Sequence, residues 1–65
     1  MKEYTVVPDR DVTGWDVTLE DTAPVDHFEM KSDAIEFAEK MAKENKPSKL
    51  IILDQDREVV EKREF

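Results

Sequence analysis

The residues best suited to chemistry in this chain are the carboxylates between Asp9 and Glu20 and a lone histidine, His27. Asp9, Asp11, Thr13 and Gly14, with Glu20 eleven residues after Asp9, fit positions 1, 3, 5, 6 and 12 of a calcium-binding EF-hand loop. Such a loop also needs a helix on each side. Here a β-rich YTVVP precedes it, and Trp15, Val17 and Leu19 alternate with polar residues through its second half. A strand carries Glu20 away from the loop carboxylates at about 3.3 Å per residue. The stretch from Asp9 to Gly14 therefore reads as a solvated acidic turn, with weak cation binding at most.

His27 has Asp26 and Glu29 nearby in sequence. Alternation along an extended chain puts Asp26 and His27 on opposite sides, and one histidine among carboxylates is a poor transition-metal site. A triad built on His27 with Ser32 or Ser48 lacks the strained turn that exposes a nucleophile. With one glycine there is no phosphate-cradling loop, and with no cysteine there is neither a thiolate ligand nor a thiol nucleophile. No catalytic, cofactor-binding or metal-binding residue is assigned, and the expectation is a protein that is not an enzyme and carries no cofactor.

The elements that must position these residues follow from periodicity. Tyr4 to Val7 is β-rich and stops at Pro8. Trp15, Val17 and Leu19 form the buried side of a second strand, paired with the first as a long-looped hairpin. Asp21 to Glu29 is interrupted by Pro24, and Val25 to Phe28 either adds a short strand or packs over the hairpin. Lys31 to Asn45 is a helix, with Ala34, Ile35, Ala38, Met41 and Ala42 on its apolar stripe and Phe37 on the flank. Its acid-before-base pairs Glu36–Lys40 and Glu39–Lys43 suit the helix, and Asn45 suits a left-handed C-cap before Pro47. Leu50 to Leu53 is a short strand apolar on both faces. Asp54 to Arg57 makes a turn, and Glu58 to Phe65 returns as an alternating strand.

The resulting expectation is a single α+β domain over residues 1–65 with element order β-β-α-β-β. Its four-stranded antiparallel sheet would have the first and third strands paired in the middle and the helix on one face. The core expected from this arrangement is Tyr4 or Val6, Trp15, Val17, Ile35, Ala38, Met41, Ala42 and Val59. One helix shields one face, so the two central strands leave an apolar strip on the other.

Size and charge narrow the function classes. Sixty-five residues with 38% hydrophobic content make a small core, near the lower limit for a chain folding without staples. A net charge of −7 argues against binding a phosphate backbone, which needs a basic face. No apolar run approaches the roughly 18 residues of a membrane span. MKEYTVV lacks the features of a signal peptide, so the expected compartment is the cytoplasm.

YTVVP, then GWDV, then the helix DAIEFAEKMAKEN and the final hairpin LIILDQDREVVEKREF resemble the bacterial family catalogued as domain of unknown function 2188. The resemblance runs from Tyr4 to Phe65. It implies a compact ββαββ domain and brings no catalytic residue with it. Family members typically have a threonine entering the helix and an Asp-Gly in the last turn, where this chain has Met30 and Arg57.

The function expected from these readings is a small acidic structural or protein-interaction module whose partner is a protein of unknown identity. The apolar strip is covered either by a second copy of the chain packed sheet on sheet, or by the N-terminal tail or the Asp21 to Glu29 segment folding over it and leaving a monomer. The alternative is a nucleic-acid-associated protein, either binding through Lys46, Lys49, Lys62 and Arg63 or mimicking nucleic acid with its seventeen acidic residues.

Overall fold

A computed structural model describes residues 1–9, 13–20 and 24–65. The elements are β1 (Lys2–Pro8), β2 (Trp15–Leu19), β3 (Pro24–Phe28), α1 (Lys31–Glu44), β4 (Ser48–Leu53) and β5 (Val59–Glu64). They form one five-stranded sheet in the order β3-β2-β1-β4-β5. The general α+β class, with a single helix, is as expected. The four-stranded antiparallel sheet is not: the sheet has five strands and is mixed, because β1 and β4 run parallel, with Tyr4 opposite Leu50 and Val6 opposite Ile52.

The reason is a matter of parity. Each short connection reverses the chain direction. If residues 24–28 were a loop, the helix would start from the end of β2 and β4 would run against β1. Those residues instead form a third strand, antiparallel to β2 with Trp15 opposite Phe28 and Asp16 opposite His27. That extra reversal turns the helix round and makes β4 parallel to β1. The lateral order of the four expected strands survives.

The helix lies across the face that carries Tyr4, Val6, Val17, Leu50 and Ile52, all buried, as are Ala34, Ala38 and Ala42 on the helix. Three alanines at four-residue spacing fall on one helix face, and alanine gives up no side-chain entropy there. Trp15, Ile35 and Met41 are partly buried against this core rather than inside it, while Leu50, Ile52 and Ala34 belong to it fully. Val59 was expected in the core and is 52% exposed. A register shift between Ile52 and Leu53 puts Val59 opposite Leu53, whose side chain points to the uncovered face.

Both helix ends depart from the strongest capping arrangement. Met30 is the N-cap and supplies no side-chain hydrogen bond. Asn45 does not take the left-handed conformation expected of it (φ −125°, ψ 42°). Its side-chain amide instead donates to Met41 O at 2.8 Å. Ser48, the only buried polar side chain among the described residues, donates from Oγ to Ala42 O at 2.6 Å. The free carbonyls of the last turn are thus partly satisfied from beyond the helix. In the final turn Arg57 adopts a left-handed φ of 63°, and its guanidinium donates to Pro8 O at 3.0 Å. Among the described residues no helix is long and apolar enough to cross a membrane.

Candidate functional site

The densest convergence of titratable groups lies where β1, β2 and β3 meet on the uncovered face. The β2–β3 register sets Asp16 opposite His27, and His27 Nδ1 lies 2.6 Å from Asp16 Oδ1. The other ring nitrogen, Nε2, is 4.0 Å from Asp9 Oδ2. Asp9 is fixed in turn by the Thr13 N–H and the Thr13 hydroxyl, each donating to its carboxylate at 2.9 Å. The two carboxylates are mostly covered (17% and 19% exposed) and the imidazole is half exposed.

The electrostatics follow from this geometry. The hydrogen bond to Asp16 raises the His27 pKa above its ordinary 6.5, against some desolvation and with further help from the charges of Asp16, Asp9 and Glu29. Partial desolvation pushes the Asp9 carboxyl up, but the Thr13 N–H and hydroxyl, the His27 charge and the Gly14 backbone outweigh it, and the net direction is down. Gly14 makes room for the cluster. A Cβ there would lie 2.6 Å from Phe28 O and 2.7 Å from two atoms of the His27 ring. Its backbone φ is not positive, so this glycine serves close approach rather than conformational freedom.

The rest of the uncovered face is apolar at its centre. Val7, Ile51 and Leu53 are each half-buried on adjacent strands β1 and β4, Val59 sits opposite Leu53, and Val59 and Val60 are 52% and 56% exposed. The strand registers place Glu3, Asp16 and Glu64 on this face together with Lys49, Lys62 and His27. With Asp9 the described part of this face carries four carboxylates against two lysines and His27, so it is less acidic than the molecule of net charge −7 as a whole.

Residues 4–65 match the family described as "Uncharacterized protein conserved in bacteria (DUF2188)". The chain belongs to this family. It is also 43% identical to "Uncharacterized protein YycD" of Bacillus subtilis (strain 168) over 65 residues, spanning 100% of this chain and 98% of that protein. No solved structure matches the chain. The DUF2188 resemblance read from the sequence therefore holds, and with it a function that neither description names.

Within this DUF2188 chain the residues singled out in the sequence fall into separate places. Asp9, Thr13 and Gly14 come together, but β2 carries Glu20 to its far end, where the Glu20 N–H donates to Glu3 O at 2.8 Å. Asp11 lies outside the described residues. Among the described residues no group of three or more acidic, histidine or cysteine side chains is arranged to hold a metal ion. Asp26 does not reach the His27 ring; its carboxylate accepts the His27 backbone N–H at 2.8 Å. Ser48 is buried on the helix side of the sheet, opposite to His27, and its hydroxyl is bound to the helix end.

The partners that sequence reasoning missed are Asp16 and Asp9. Asp16 was readable only with β3 recognised and its register fixed, since the pair is separated by eleven residues. The basic residues divide as well. Lys49 and Lys62 lie on the uncovered face, whereas Arg63 lies on the helix side, donating to Glu39 at 2.5 Å and also to Glu61. Lys43 pairs with the same Glu39 at 3.0 Å. Hydrogen bonding from Lys43 leads the causes that hold the Glu39 carboxyl down, and hydrogen bonding from Arg63 does the same for Glu61.

Proposed function

We propose that this chain is a non-catalytic protein-interaction module that works through the uncovered face of its sheet, and that the surface it meets is a second copy of itself. One observation carries this reading: the apolar side chains Val7, Ile51, Leu53 and Val59 lie together on a face that no described element covers. Residues 24–28, which could have folded over that face, lie in the plane of the sheet as β3. Lys49, Lys62 and His27 offset much of the charge of Glu3, Asp9, Asp16 and Glu64 on this face, which weakens the repulsion that the net charges of two copies bring. Among the described residues no hydroxyl sits on the His27 imidazole, and Thr13 donates to Asp9 instead, so the described cluster holds no activated nucleophile. The four basic residues that could meet a nucleic acid do not share one surface, with Arg63 engaged by Glu39 and Glu61 on the helix side.

The expected strength follows from area. Five strands spaced about 4.8 Å apart and about five residues long give a flat projection on the order of 400 Å² per copy. A pair then buries roughly 800 Å², at the low end of specific interfaces, which means a weak and reversible dimer. Sedimentation equilibrium from about 10 µM to 1 mM tests this, because an interface of that size is filled only at high concentration. The mass should rise from one chain towards two, and Ile51→Lys should hold it at one. A mass of one chain throughout for the parent sinks the proposal.

A further inference from the structure

We propose that the clamp formed by Asp9, His27 and Asp16 makes β3 a pH-responsive edge strand, docked onto β2 when His27 is protonated and loosened when it is neutral. The observation is geometric and independent of self-association. β3 has little else to hold it. Four of its five residues are exposed, and the fifth, Phe28, is half-buried against Phe37 with ring centroids 5.3 Å apart. Its pairing to β2 is also interrupted by a register shift between Val17 and Thr18.

Against that weak background the imidazole makes one hydrogen bond across strands, to Asp16 on β2 at 2.6 Å, and one longer charge contact, to Asp9 just after β1 at 4.0 Å. A protonated ring has an N–H for each carboxylate. A neutral ring has one N–H in total. If that proton stays on Nδ1 with Asp16, the Nε2 lone pair faces the Asp9 carboxylate, and an attraction becomes a repulsion. Among the described residues the charged groups facing the ring are Asp16 from β2, Asp9 just after β1 and Glu29 just after β3, all acidic. Thr13 contributes a hydroxyl already bound to Asp9, and α1 lies on the opposite face of the sheet. Among the described residues no cation lies near the ring to take over when its proton leaves.

The sign is fixed by linkage. A histidine whose folded pKa lies above 6.5 adds docking stability that is complete below 6.5 and is lost as pH rises through the folded value. Each unit of difference between the docked and released pKa values changes the docking equilibrium about tenfold. Loosening β3 would uncover the outer edge of β2 and the Phe37 ring that Phe28 packs on.

The test is NMR on the full chain in steps from about pH 5.5 to pH 9, which brackets the ordinary histidine range. It follows the His27 ring titration together with exchange protection of the amides from Val25 to Phe28, each expressed relative to the unstructured rate at the same pH. Protection in β3 is expected to fall in the same step as His27 titrates, while β1 and β4 keep theirs. In His27→Gln the step should vanish, and in Asp16→Asn its midpoint should move down. Protection that stays flat across the range, falls equally in β1 and β4, or steps unchanged in His27→Gln overturns the proposal.

Discussion

Gly14→Ala separates two opposite expectations by sign alone. The Gly14 backbone does not occupy the left-handed region, so alanine fits its φ without strain. In open space such a replacement stabilises a protein by about 0.4–1 kcal/mol, because the unfolded chain loses freedom. Here the added methyl would sit 2.6 Å from the Phe28 carbonyl oxygen and 2.7 Å from the His27 ring. Ordinary contact needs most of an ångström more, and one of the obstacles is backbone. The ring can swing away, at the cost of its bond to Asp16, but the carbonyl moves only with β3. Overpacking of this kind costs typically about 1–3 kcal/mol, which exceeds the entropic gain. The net expectation is a loss of about 1–2 kcal/mol. With a urea slope near 1 kcal/mol/M for a chain this small, the midpoint should fall by roughly 1–2 M. Urea unfolding followed by Trp15 fluorescence measures it, and amide shifts should show the disturbance concentrated in 24–28. A variant as stable as the parent, or more so, would refute the close approach of β3 to Gly14.

Other expectations follow from single contacts. Met30→Thr supplies the side-chain cap the helix lacks and should raise stability by about 1 kcal/mol in thermal unfolding. Ser48→Ala removes the buried bond to Ala42 O and should cost about 1 kcal/mol, since Asn45 N–H still reaches that carbonyl at 3.3 Å. Ala38→Asp places an unpaired carboxylate where exposure is zero, and circular dichroism should show an unfolded chain; native-like ellipticity would contradict the packing of α1 on the sheet. The pKa values of Asp9, Glu39 and Glu61 are all lowered by folding, so their contribution is present above ordinary carboxylate values and is lost as pH falls through the folded ones. Urea midpoints should therefore drop on acidification below about pH 4.5, and an acid-side plateau would count against these pairings.

The helix was legible because its signal is local. Three alanines at four-residue spacing, flanked by Ile35 and Met41, fix both its existence and its buried face wherever it packs. The lateral order of β2, β1, β4 and β5 was legible for a related reason: strands apolar on both sides belong in the middle. β3 was not legible. Its five residues begin with proline, carry two polar side chains and are mostly exposed, so no burial pattern marks them, and only the free edge of β2 makes a strand of them. That one undetermined element decided both larger outcomes. Its extra reversal of chain direction made the β1–β4 pair parallel, and its register brought His27 against Asp16 and Asp9. Local periodicity determines which segments are helix or strand and which side of each is buried. Chain direction and cross-strand chemistry depend on how many elements intervene and in what register they pair, and those are settled only when the sheet closes.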